Sequence, residues 1–167
     1  MSLKKIKIIS VFTVFILCTI THFLYDLLPN PIFSIFFPVN ESIWEHMKML
    51  YTSFLLNGII EYFLIKKYNI KVNNFLFNTY LISIISIILY LTMYLPFYYT
   101  IGNNKIVIFT ALILDIIICE IISYFLLKKE EIKNMNFLTI ILIILSYIIF
   151  TILTYYPLDF SIFNIPN

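Results

Sequence analysis

Five apolar runs, residues 8–28, 47–65, 75–95, 106–127 and 137–156, dominate the chain and constrain what it can become. Each is close to the ~20 residues that an α-helix needs to cross ~30 Å of hydrocarbon at ~1.5 Å per residue. Inside a bilayer the backbone must satisfy its own hydrogen bonds, so runs of this length read as helices despite their β-branched content. Composition points the same way. Charged residues make up 12% and hydrophobic ones 62%, whereas a soluble domain carries about 25% charged residues. A soluble fold of 167 residues has too little interior for that much Ile, Leu, Phe and Tyr, so the surplus must face lipid. The expectation is an all-α integral membrane bundle of five transmembrane helices, one domain over residues 1–167, with the lipid bilayer as its partner.

Lysines punctuate the runs on alternate sides. Lys4, Lys5 and Lys7 precede the first, Lys66, Lys67 and Lys71 follow the second, and Lys128, Lys129 and Lys133 follow the fourth. Only Lys48 and Lys105 fall in the other loops. The positive-inside rule then sets the N-terminus in the cytoplasm and the C-terminus outside. The first run has the basic start of a signal peptide but no A-x-A-like cleavage site after it, so it is expected to stay as a span. The net charge of +2 comes from these flanking lysines and supplies no basic surface for nucleic acid. Cys18 and Cys119 sit in apolar runs without C-x-x-C spacing, which reads as buried thiols rather than a disulfide or thiolate metal site.

Scarce polar chemistry gathers in residues 38–48, PVNESIWEHMK. Helix capping explains part of it. Ser42 and Glu45 form a capping-box pair, Asn40 is an alternative cap, and Glu41 and Glu45 complement the positive end of a helix dipole. Trp44 suits the membrane interface and, four residues from Lys48, can stack on it. Capping does not explain His46. On the second helix His46, Ser53, Asn57 and Glu61 fall within roughly an 80° arc, a polar stripe that should look into the bundle. On the first helix Cys18, Thr19, His22 and Asp26 share a face, with His22 and Asp26 at its outer end. His22, Asp26, Glu45 and His46 are therefore expected to meet at the outer membrane surface, with Glu41 beside them. Two imidazoles and two or three carboxylates suit Zn²⁺ or another divalent ion. An Asp–His pair activating a water or a lipid hydroxyl uses the same residues. In the bland alternative each histidine is tied to a carboxylate and only holds the two helices together.

Deeper in the membrane lie three acids. Asp115 sits roughly 13 Å below the outer end of the fourth run, aligned with Ala111, Cys119 and Ser123, while Glu61 and Glu120 lie in the inner parts of theirs. An intramembrane acid costs at least ~2.5 kcal/mol on insertion scales and marks a functional candidate. Thr79, Ser83, Ser86, Tyr90 and Tyr94 add a hydroxyl ladder along one face of the third helix, which packs helices or lines a path.

The motif residues Pro38, Val39, Asn40, Glu41, Ser42, Trp44, Glu45, His46 and Lys48, with the His22/Asp26 face before them, match a P-V-N-E-S-x-W-E-H-x-K signature. In this the chain resembles a family of small multi-pass membrane proteins of unknown function from Firmicutes, a domain-of-unknown-function family. The resemblance covers the whole five-span layout and implies a bacterial plasma membrane. It implies no activity, but it favours the outer cluster over the deeper acids. Members end in a Pro-Pro…Leu-Phe…Asp-Pro tail. Here Leu158 replaces the second proline and Ile165 the late aspartate, which leaves Asp159 as the candidate substitute.

Three functions follow as expectations. The first is metal-assisted hydrolysis or modification of a lipid or envelope substrate. His22, Asp26, Glu45 and His46 would serve as metal ligands or acid–base groups, with Glu41 orienting them. The second is a small transporter or proton-coupled carrier using Glu61, Asp115 and Glu120. The third is a structural or partner-binding membrane protein.

Overall fold

The computed structural model describes residues 1–165; Pro166, the last residue of the tail pattern, lies outside them. The described chain is all-α, with six helices: α1 (Leu3–Leu27), α2 (Pro31–Phe36), α3 (Ile43–Lys67), α4 (Phe75–Ile101), α5 (Lys105–Leu126) and α6 (Met135–Tyr155). A 3-10 turn, Ser161–Phe163, follows. Each of the five expected spans lies on one long helix. Four of these, α1, α4, α5 and α6, are long and apolar enough to cross a membrane. Helix α3 has the length, 25 residues, but not the apolar density. The reason is its position. It packs between α1 and α4 and buries Glu45, Lys48, Asn57 and Glu61 against its neighbours, so its polar residues need no lipid-compatible face.

Helices α1, α3, α4 and α5 close a ring in which α1 packs on α3, α3 on α4, α4 on α5 and α5 on α1. Val14, Cys18, Leu50, Tyr51, Tyr90 and Ile116 fill its centre. Gly58 lets α3 and α4 approach closely, since a Cβ there would overlap Thr79 Cγ2. Helix α6 lies outside the ring against α4 and α2, and Phe150 and Tyr147 reach in to Tyr51. The outward faces carry Phe12, Ile16 and Ile20 on α1 and Phe137, Ile144 and Ile148 on α6, an apolar surface that water does not favour.

The segment after α1 forms α2. Asn30 caps it by accepting from the N–H groups of Ile32 and Phe33, both at 3.0 Å. At the opposite end of the bundle the α3–α4 and α5–α6 loops are tied together. Asn73 Nδ2 donates to Lys129 O (2.9 Å) and Asn74 Nδ2 to Glu130 O (2.7 Å). Leu3, Ile6, Ile65 and Leu127 cluster beside them, so the lysine-rich segments share one end. Lys7 is a correction to the flanking pattern. It is buried at 6% exposure and turns inward, where two glutamates hold it.

Candidate functional site

The motif folds into a knot of short hydrogen bonds at the end opposite the lysine loops. Ser42 Oγ accepts from Glu45 N (3.3 Å), the capping contact, while Asn40 Oδ1 accepts from Ser42 N (2.9 Å). The reciprocal half of the capping box is displaced, because Glu45 Oε2 accepts from Val39 N (3.0 Å). The knot leaves Glu41 at the surface and swings His46, in the second turn of α3, towards α1.

There it meets His22. The two Nε2 atoms are 3.2 Å apart, and Glu41 Oε2 lies 3.6 Å from His22 Nε2 and 3.5 Å from His46 Nε2. The three donor atoms form a nearly equilateral triangle. With zinc–nitrogen bonds of ~2.0–2.1 Å, the edge of a coordination tetrahedron is about 3.3 Å. A triangle with these edges has the dimensions of one face of such a tetrahedron, which would leave a fourth corner free. His46 Nδ1 is 2.8 Å from Ser42 O, a carbonyl that only accepts. The proton thus sits on Nδ1, and the Nε2 lone pair faces the triangle. Nδ1 of His22 is buried and has no partner among the described residues. In the absence of a cation its proton is better placed on Nε2, where it donates to His46. The imidazole side chains are 24% and 22% exposed and the Glu41 side chain 63%, so solvent reaches the centre from the carboxylate side.

Two residues expected in this cluster are elsewhere. Glu45 points away from the imidazoles into a buried pair with Lys48 (2.6 Å), and its Oε1 accepts from Thr154 Oγ1 of α6 (2.7 Å). Lys48 also donates to Ser34 O (2.8 Å) and Thr154 Oγ1 (3.0 Å). A low-dielectric interior rewards meeting that ammonium with a carboxylate, which overrides the expected stacking on Trp44. Trp44 instead packs on Phe150 and Phe163, with ring centroids 5.2 and 5.0 Å apart. Asp26 is exposed one turn beyond His22 and makes no side-chain hydrogen bond or ion pair among the described residues. Asp159 in the tail is exposed as well. Glu41, expected only to orient the ligands, is the carboxylate that reaches both imidazoles.

Two hollows flank His46. One, of about 160 Å³, runs between α1 and α5 and is lined by His22, His46 and mostly apolar side chains, among them Phe15, Phe109 and Leu112. The other, of about 60 Å³, is bordered by Glu41, His46, Tyr90, Tyr94 and Asn103.

The deeper acids form a separate assembly. Lys7 Nζ donates to both oxygens of Glu61 at 2.7 Å and lies 3.1 Å from Glu120 Oε2 without hydrogen-bond alignment. Ser10 Oγ donates to Glu61, and Asn57 Nδ2 to Glu120 Oε1 (3.4 Å). By its place in the sequence Lys7 reads as a flanking charge. A signal was present, because Lys7, Ser10, Val14, Cys18 and Thr21 keep three- and four-residue spacing and are all buried. Asp115 is fully buried, with Cys119 Sγ 3.6 Å from its Oδ1. The ladder residues Thr79, Ser83, Ser86, Tyr90 and Tyr94 are all buried. Thr79, Ser83 and Ser86 return their hydroxyls to carbonyls of their own helix, at 3.0, 2.7 and 3.0 Å.

Residues 1–165 match a family model described as a family of unknown function (DUF6512), so the chain belongs to that family. No curated protein and no solved structure matches the chain.

Proposed function

We propose that this family member is a five-span protein of a bacterial plasma membrane that binds a divalent cation through His22, Glu41 and His46. The cation would serve hydrolysis or modification of a lipid or envelope substrate. In this reading α3 is the fifth crossing, its polar stripe shielded by the ring. The N-terminus lies in the cytoplasm with the lysine loops, and the candidate site faces outward. The single observation that carries the metal reading is the triangle of donor atoms with edges of 3.2, 3.5 and 3.6 Å.

Each residue has a task that follows from its surroundings. Ser42 O holds the His46 ring so that Nε2 is the ligating atom. His22 brings the second nitrogen from another helix, and Glu41 adds one negative charge from the solvent side. A divalent ion in such a site supplies polarisation of an oxygen ligand. Hydrolysis would place the oxygen of water on the acyl or phosphoryl centre and its proton on the departing alcohol. Tyr94 Oη, which donates to Asn103 Oδ1 (3.1 Å), borders the hollow on the far side of His46 where polar parts of a substrate fit.

The test is metal content. Full-length protein purified in detergent and exposed to Zn²⁺ should retain about one equivalent per chain, as three-ligand sites with an open fourth position do. His22→Ala, His46→Ala and Glu41→Gln should each lose it while helical content is unchanged. Wild-type protein without stoichiometric metal, or a His46→Ala variant that keeps it, refutes the reading.

One observation favours a second reading. The buried carboxyl atom Asp115 Oδ2 makes no hydrogen bond, as the proton-carrying group of a coupled carrier would be placed. In that case Asp115→Asn abolishes proton-coupled flux in liposomes, and unchanged flux dismisses it.

A further inference from the structure

The hollow of about 160 Å³ beside His46 is lined by α1 and α5 side chains that reach the outer surface of the ring. It descends from His22 and His46 to Phe15 and Leu112. At its mouth Phe23 and Phe109 are 54% and 52% exposed, and Thr19 is exposed between them. These residues sit on α1 and α5, two of the helices apolar enough to cross a membrane, among exposed Ile16, Ile20, Ile113 and Ile117. With those faces in hydrocarbon, the slot opens sideways into the bilayer and not into water.

Its two ends differ in chemistry. The deep end is carbon, from Phe15 and Leu112, and the upper end is the pair of imidazoles. A second apolar hollow, between α2 and α6, is lined by Ile35, Phe36, Ile144, Tyr147 and Ile148 and by no imidazole or carboxylate. The α1–α5 slot alone among the described hollows joins an apolar channel to both imidazoles. A divalent ion bound by two neutral imidazoles and one carboxylate keeps one positive charge. On the side where the centre meets the apolar slot, an anionic oxygen ligand neutralises that charge most favourably.

We infer that the slot between α1 and α5 receives the hydrocarbon chain of a membrane lipid from within the bilayer and places its anionic head oxygen at the His22–Glu41–His46 centre. The head-group half rests on the metal reading of that centre; the chain half stands on the shape and position of the slot. The shared ligand chemistry is a phosphate or carboxylate oxygen on a long chain.

Photolabelling tests this on full-length, zinc-loaded protein in phosphatidylcholine vesicles. One vesicle set contains phosphatidic acid with a diazirine in its acyl chain, and the other contains diacylglycerol with the same chain. Phosphatidic acid should label residues 15–23 and 108–112 above residues 143–152, which line the control hollow. Thr19→Trp and Phe109→Trp, both at exposed mouth positions, should cut slot labelling about tenfold, the change expected when about two buried methylenes are displaced. Metal content should stay at the wild-type level in both variants. Slot labelling no higher than the control, or unaffected by both tryptophans, overturns the slot. Equal slot labelling by phosphatidic acid and diacylglycerol overturns the anionic head group. Slot labelling that persists in protein holding no metal supports the chain half while refuting the metal reading, so the two failures are distinguishable.

Discussion

Lys48→Met is the substitution from which the architecture predicts the largest single loss of stability around the motif. The ammonium donates to Ser34 O at 2.8 Å and Thr154 Oγ1 at 3.0 Å and is ion-paired with Glu45 Oε2 at 2.6 Å. The pair is shut off from solvent, with side-chain exposures of 0% for Lys48 and 2% for Glu45. Methionine conserves most of the volume but leaves the Glu45 carboxylate with only Val39 N and Thr154 Oγ1 as donors. Removing one partner of a buried pair costs about 3–5 kcal/mol, because the other charge stays buried without compensation. Replacing both partners by neutral groups of similar volume costs far less. Glu45→Gln/Lys48→Met should therefore recover most of the loss, a coupling well above the ~0.5 kcal/mol scatter of independent sites. The assay is equilibrium unfolding in mixed micelles, followed by fluorescence. The chain's single tryptophan, Trp44, lies between Phe150 and Phe163 and reports this end of the bundle. A Lys48→Met loss below about 1 kcal/mol, the range of exposed pairs, refutes the reasoning. So does a double variant whose loss is the sum of the two single losses.

Other outcomes follow from the same geometry. Gly58→Ala should destabilise by about 1–3 kcal/mol through overpacking against Thr79, and Thr79→Ser, which removes the clashing methyl, should restore most of it in the same unfolding assay. Lys7→Met should also cost about 3–5 kcal/mol, with Lys7→Met/Glu61→Gln more stable than Lys7→Met alone. For orientation, a cysteine at Asn103 should react with an impermeant thiol reagent in intact cells and one at Glu130 only after lysis, in a background with Cys18 and Cys119 replaced; the reverse pattern overturns the proposed topology.

Long-range hydropathy made the helices legible before any coordinates, because a membrane permits few backbone solutions. Helical periodicity also located the buried faces. All five hydroxyl-ladder residues of α4, and Ala111, Asp115, Cys119 and Ser123 of α5, are inside. The proximity of His22 and His46 followed from their shared depth. The third donor did not follow, since Glu41, Glu45 and Asp26 are equally plausible by type and distance along the chain. What separates them is tertiary. Glu45 is claimed by Val39 N, Lys48 and Thr154, the last of which is 109 residues away. Lys7 departs from its flanking pattern for a related reason: a lysine at the start of a span reads as a flank, and only the tertiary fold sets Glu61 and Glu120 across from it.

The closure of the ring by α5 against α1 bears on how the protein matures. Ribosomal synthesis delivers α1 and α3 first, and domains tend to organise from the N-terminus as the chain emerges. The three donor atoms belong to α1, α3 and the turn between them, so they exist as a set before α5 has been translated. One wall of the lateral slot, from Ile108 to Leu112, arrives only with that later helix. The nascent protein thus brings His22, Glu41 and His46 together early and completes the adjoining hollow late, an order that leaves the hollow open on one side until the four-helix ring is complete.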